Sequence, residues 1–229
     1  MLSRISNFKK ISDRIKKNKG IISKKEMEHF LPQAPIIVEA GAHIGLDTIE
    51  ISHQWPKATI HAFEPMPEIF EKLKNNTANL SNVILHPCAL SSITGSAKFY
   101  VSSGISDGSS SLLAPKRHLV DHPDVLFTRE VDVPTITLDN WAKKNHIPRV
   151  DFLWLDTQGT EPLILKASPI ILSTVQLIYT EVSLVETYNG VVKYPEFREW
   201  LESQGFEVVK EALPWLDGGN VLFRQNNKN

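Results

Sequence analysis

The sequence is short of the residues that staple, anchor or bind by simple rule. A single cysteine, Cys88, occurs among 229 residues, which excludes an intramolecular disulfide and a cysteine-only zinc site. No apolar run approaches the roughly 18 to 20 residues that a membrane span requires. The basic N-terminus lacks the apolar stretch and small-residue cleavage site of a secretory signal. These absences set the expectation of a reducing, cytoplasmic setting. The five tryptophans, among them Trp141, Trp154, Trp200 and Trp215, are not interleaved with lysine or arginine, so they do not form a base-stacking surface and no nucleic-acid partner is expected.

What is present is enough apolar material for a core. At 41% hydrophobic residues over 229, one large α/β domain fits better than two small ones. The charge is unevenly spread. Nine Lys or Arg against Asp13 alone lie between Met1 and Lys25, so the rest of the chain carries an acidic excess. We divide the chain into a basic helical arm, residues 1–34, and a domain, 35–229, with an insertion at about 91–135. In the arm, Ile5, Phe8, Ile11 and Ile15 recur at helical spacing, which suits packing one stripe on the body. A solvated arm and one touching an anionic surface both stay open.

Beyond Pro32 and Pro35, strand-like and helix-like segments alternate. Strands are predicted at Ile36–Glu39, Thr59–Phe63, Val83–His86, Asp151–Leu155, Val175–Glu181, Phe206–Glu211 and Asn220–Arg224. Helices are predicted to begin near Gly45, Pro67, Thr137, Thr160 and Tyr194. Such alternation implies a doubly wound parallel sheet, Rossmann-like, with helices on both faces. The last two strands sit close together across Pro214, Gly218 and Gly219, which predicts an antiparallel hairpin and a C-terminal strand at the sheet edge. The interval from Leu90 to Thr135 breaks the pattern. Its alternating segments Ala97–Val101 and Thr128–Val133 enclose a serine-rich middle, which reads as an inserted hairpin with a mobile lid.

In open parallel sheets the ligand sits beyond the carboxyl ends of the strands. There the chain reads "VEAGAHIG", with Gly41 and Gly45 able to adopt positive φ and admit a ligand to the backbone. A dinucleotide site would need G-x-G-x-x-G, whereas His43 stands at the middle glycine's place. Glu39, in the strand before the turn, suits a cationic ligand better than two phosphates. Glu64, in "HAFEP" before Pro65, is placed to accept both hydroxyls of a ribose. The segment "DFLWLDTQGTEP" offers a second carboxylate at a strand end. Asp156 emerges from apolar Phe152–Leu155 where it has no packing purpose, which makes it a candidate base or metal ligand. Glu161 suits a helix first turn as well as catalysis, and Thr160 is the expected helix cap. Glu181, ending the next strand in "YTEVS", is expected beside Asp156. His118 and His122 share a metal-ligand spacing, but Pro123 argues against a stable helix there.

Together "VEAGAHIG", "HAFEP", "CALSSITGSAKFYV", "GSSSL", "TLDNW" and "DFLWLDTQGTEPLILKAS" resemble the FkbM family of methyltransferases, over roughly Ile36 to Val209. The resemblance implies a class I methyltransferase fold, S-adenosylmethionine as donor, and transfer to an oxygen of a sugar, polyketide or other metabolite, so that a small molecule or glycan is the partner. It places the methionine end of the donor near Glu39, Gly41 and Gly45, the ribose on Glu64 and the adenine near Cys88 and Ala89. The family pattern is close to D-F-L-K-I-D-V-E-G; this chain has Trp154 for the lysine and Gln158 for the acid. Glutamine keeps the shape but not the charge, so metal-assisted and metal-free routes both stay open. Two alternatives to a methyltransferase are a methyltransferase-like interaction module without catalysis and a nicotinamide-dependent oxidoreductase. The missing glycine weighs against the latter.

Overall fold

A computed structural model describes residues 22–226. The stripe from Ile5 to Ile15 lies outside them. The described end of the expected arm packs on the body. Helix α1 (Lys24–Met27), opened by a capping box between Ser23 and Glu26, runs into a 3-10 turn (Glu28–Phe30). Met27 is fully buried.

Among the described residues, seven strands form one sheet in the order β3-β2-β1-β7-β8-β10-β9. They are β1 (Ile36–Ala40), β2 (Thr59–Phe63), β3 (Val83–His86), β7 (Phe152–Leu155), β8 (Leu177–Ser183), β9 (Phe206–Ala212) and β10 (Gly218–Gln225). From β3 through β8 every pairing is parallel. Parallel strands must be covered on both faces, and the sequence supplies the cover through continuous apolar runs. In β1 and β7 neighbouring residues point to opposite sides. Val38, Ala40, Leu153 and Leu155 pack against Leu138 and Trp141 of α5 (Leu138–Lys144), Ile164 of α6 (Glu161–Lys166), Ile171 of α7 (Pro169–Leu172) and Phe197 of α8 (Tyr194–Ser203). Ile37, Phe152 and Trp154 pack on the other side with Met27 of α1 and Ile51 of α2 (Leu46–Gln54). Helix α3 (Pro67–Asn76) buries Leu73 against Ala42 and Ala62.

The antiparallel hairpin lies at the sheet edge as the sequence indicates, but its outermost strand is β9 and not the C-terminal β10. β10 pairs antiparallel with both β8 and β9, so it lies one position inside the sheet and β9 forms the edge. Burial explains the order. Val221, Leu222 and Phe223 of β10 are all buried, whereas β9 carries Glu207, Lys210 and Glu211, charges that suit an edge.

The insertion is a three-stranded sheet, β4-β6-β5, of β4 (Ala89–Leu90), β5 (Gly95–Gly104) and β6 (Val125–Ile136). Its serine-rich tip is tied by its own hydroxyls: Ser110 Oγ accepts from Ser102 N at 2.9 Å and Ser102 Oγ from Ser109 N at 3.0 Å. A single helical turn, α4 (His118–Asp121), precedes Pro123, so the two histidines do share a turn despite the proline. His122 pairs there with Asp217 at 2.8 Å.

Asp151, fully buried at the entry to β7, holds the sheet's two central strands in step. Its Oδ2 accepts from Ile36 N at 2.7 Å and its Oδ1 from Arg149 Nε at 3.0 Å. Asp151→Ala leaves a buried N–H unpaired and is expected to cost about 2 to 3 kcal/mol. Urea unfolding followed by circular dichroism measures it, and a loss under about 0.5 kcal/mol would contradict the assignment.

Candidate active site

Three strand ends converge at the top of the sheet, and glycine permits it. Gly41, at φ +85°, passes so close to β7 that a Cβ there would lie 1.8 Å from the Asp156 carbonyl oxygen. Its N–H and that of Ala42 donate to the Phe63 carbonyl at the end of β2. Gly45, at φ +88°, precedes α2, and a Cβ on it would meet Leu73 Cδ1 at 2.7 Å. Both glycines have the positive φ expected of them, and the protein's own chain occupies the space at their Cβ positions.

Above this junction lies a cavity, part open to solvent, at the carboxyl ends of the strands. Gly41, His43, Glu64, Pro65, Ala89 and Asp156 are in its wall, with Met66, Ile69, Phe99 and Leu112 forming an apolar side. The inserted sheet roofs it. Asp107 and Gly108 of the tip line the cavity, and Asp107 Oδ1 lies 3.3 Å from His43 Nε2.

Glu64 is the organised acceptor in this wall. One oxygen accepts from His43 N at 3.1 Å and the other from Met66 N at 2.8 Å, which leaves each a further lone pair for a ligand hydroxyl. Burial pushes its pKa up to about 7 against the pull of those two donors.

Glu39 is placed differently from its expectation. It is buried beneath α2, outside the cavity wall, and accepts from Thr48 Oγ1 at 2.7 Å. Desolvation raises its pKa to about 8. Gly45 and Cys88 also stand behind the wall. Cys88 packs against the main core, where burial pushes its thiol up to about 11; its neighbour Ala89 reaches the cavity instead.

Asp156 and Glu181 do come together, joined by Gln158. The Gln158 carboxamide Nε2 donates to Asp156 Oδ1 at 2.9 Å and to Glu181 Oε2 at 2.8 Å. Asp156 is open to the cavity, yet protein crowds its strand end; this desolvation, with the charge of Asp47, raises its pKa against the pull of Gln158. Glu181 is pushed well above the ordinary range by burial and then by the charge of Asp156. Two carboxyl groups so placed disfavour each other's ionisation.

Glu161 turns away from the cavity to brace the loop. It accepts from Thr157 N at 2.6 Å and Gly159 N at 3.3 Å, and burial pushes its pKa up to about 7. This displaces the expected cap: Thr160 occupies the N-cap position of α6 without a side-chain capping bond.

A second, more open cavity lies on the far side of Gln158. Glu181, Tyr188, His118, His122, Trp215 and Asp217 line it. Gln158 belongs to both walls. Tyr188 and Ser111, which hold Gln158 from behind, are absent from the sequence-based expectations. The motif "GSSSL" marked the neighbourhood of Ser111, but Tyr188 lies in a connection with no signal of its own.

The comparisons agree with this geometry. A family model described as the methyltransferase FkbM domain matches residues 39–208. The 2-O-methyltransferase NoeI of Sinorhizobium fredii (strain NBRC 101917 / NGR234) is 30% identical over 195 residues, covering 83% of this chain and 79% of that protein. Methyltransferase sdnD of Sordaria araneosa is 28% identical over 207 residues, covering 81% and 78%. Among solved structures, the Methanococcus jannaschii fibrillarin pre-rRNA processing protein shares the fold, with a TM-score of 0.53 at 17% identity, over 92% of this chain and 72% of that one. A match across most of the domain, with a relative at this identity over most of both lengths, places the chain in the FkbM family of S-adenosylmethionine-dependent methyltransferases.

Proposed function

We propose that the protein transfers a methyl group from S-adenosylmethionine to a hydroxyl oxygen of a sugar, polysaccharide or other metabolite, with Asp156 taking the hydroxyl proton. One observation carries this reading: the two cavities meet at Gln158, with Asp156 in the wall of the first and Glu181 in the wall of the second.

The first cavity fits the donor by the chemistry of its wall. Glu64 would offer lone pairs to the ribose hydroxyls, the backbone around Gly41 and His43 would take the methionine end, and Met66, Ile69, Phe99 and Leu112 supply an apolar wall suited to the adenine. Glu39, behind the wall, supports the turn through Thr48. When bound, S-adenosylmethionine supplies a methyl group made electrophilic by its sulfonium. The chain's part is then to place an acceptor oxygen in line, exclude water and receive a proton. The Asp156 carboxylate, in the cavity wall, would take the proton of the acceptor hydroxyl. Protonated Glu181, on the acceptor side, is a hydrogen-bond donor to the sugar or metabolite. Glu161 keeps the loop shape and does not touch the reacting atoms. The NoeI relative's name, a 2-O-methyltransferase, supports oxygen as the acceptor atom.

Asp156→Asn is expected to keep S-adenosylhomocysteine affinity within a few-fold while lowering turnover by roughly a hundred-fold or more. Calorimetry and a methyl-transfer assay on hydroxylated sugars and metabolites check both, and unchanged turnover would remove Asp156 from the chemistry. Glu64→Ala is expected to weaken S-adenosylhomocysteine by about 1.5 to 3 kcal/mol. Wild-type affinity should also tighten as pH rises through about 7, since only the ionised Glu64 accepts on both oxygens. Glu64→Gln should flatten that dependence, and NADH should not bind.

A further inference from the structure

Gln158 is used at both ends of its side chain. Besides the two carboxylates on Nε2, its Oε1 lies 3.0 Å from the Tyr188 hydroxyl, which also reaches the Ser109 carbonyl at 2.7 Å. Its carbonyl accepts from Ser111 Oγ at 2.8 Å, and its backbone is held at φ +56°. In this orientation Nε2 faces a carboxyl oxygen of each acid and Oε1 faces the Tyr188 hydroxyl. Among the described residues no lysine or arginine pairs with Asp156 or Glu181. Two carboxyl groups converging without a basic side chain need a cation, a proton or N–H donors between them. Here one carboxamide nitrogen, with two N–H bonds, lies within hydrogen-bond distance of both, 2.9 Å from Asp156 Oδ1 and 2.8 Å from Glu181 Oε2.

We infer that the Gln158 carboxamide takes the place of a bridging cation: one N–H to each carboxyl group keeps Asp156 and Glu181 paired and presents Asp156 to the acceptor without a divalent metal. The inference rests on Asp156 being the proton acceptor. Gln158 is a positioning residue in this scheme. It donates to the base and touches neither the leaving sulfur nor the proton in transit. Tyr188 braces the amide from behind, its single O–H facing both Gln158 Oε1 and the lid carbonyl of Ser109.

The test is turnover against pH for wild type, Gln158→Asn, Gln158→Glu and Asp156→Asn, with S-adenosylhomocysteine calorimetry confirming an intact donor site in each. Asparagine tolerates the left-handed backbone but is one methylene too short to reach both carboxyl groups. Gln158→Asn should keep donor affinity within a few-fold, lower kcat at least about tenfold, and move the acid limb of the kcat profile up by about one pH unit, because a carboxylate that loses an N–H donor is harder to ionise. Wild type should keep its turnover in EDTA and show no Mn²⁺ binding by calorimetry. Gln158→Glu, with three carboxyl groups converging, should bind Mn²⁺ and lose turnover in EDTA. Wild-type turnover lost in EDTA and restored by Mn²⁺ would overturn the inference, as would a Gln158→Glu that binds no Mn²⁺. An unchanged kcat and acid limb in Gln158→Asn beside an inactive Asp156→Asn would overturn it and leave the base assignment standing. An active Asp156→Asn would overturn both. Should Gln158→Asn fail to bind S-adenosylhomocysteine, Tyr188→Phe must shift the acid limb in the same direction, and no shift overturns the inference.

Discussion

The arrangement depends on one close approach between backbones. β1 leaves the sheet at Gly41 against the carbonyl of Asp156, in space that no side chain can share. That contact sets the turn carrying His43 beside the strand end carrying Asp156. Hydrogen bonds from Gly41 and Ala42 to Phe63 bring the end of β2, and with it Glu64, into the same junction. A parallel sheet supplies three carboxyl ends on one side; the glycine brings them within one cavity.

The electrostatics follow from that crowding. Glu39, Glu64, Glu161 and Glu181 stand near the same strand ends with pKa values raised by burial. Buried carboxyl groups oppose folding unless hydrogen-bonded, and each of these has a donor: Thr48, the amides of His43 and Met66, the amides of Thr157 and Gly159, and Gln158. Such a concentration of acid is tolerated at functional sites and rare elsewhere. The cost is offset by the apolar layers beneath, where β1 and β7 bury residues on both faces.

The central strands and the helix starts were legible because apolar runs with glycine or proline punctuation leave few alternatives. Glu64 and Asp156 were legible for a related reason. Each lies one residue past the end of its strand, Phe63 and Leu155, and is free to turn into the cavity. Glu39 looks similar in sequence but lies within β1. The pleat binds it to the face of Ile37, under α2, and period-two counting carried to the strand end points the same way. The order of the C-terminal strands depended on which strand is apolar on both faces, a comparison between β9 and β10 that local turn signals do not make. Tyr188 was illegible because its role arises from contacts with Ser109 and Gln158 far along the chain, which no local pattern encodes. The basic stripe before Gly20 lies outside the described residues.

The central claim, that the cavity roofed by the inserted sheet is the donor site with Asp156 at its reactive end, is tested most directly by a crystal structure with S-adenosylhomocysteine bound. The account predicts both ribose hydroxyls on the Glu64 carboxylate, the adenine beside Ala89 and Phe99, and the sulfur facing Asp156 and Gln158. A ligand whose ribose lies away from Glu64, or whose sulfur points away from Asp156, would contradict it.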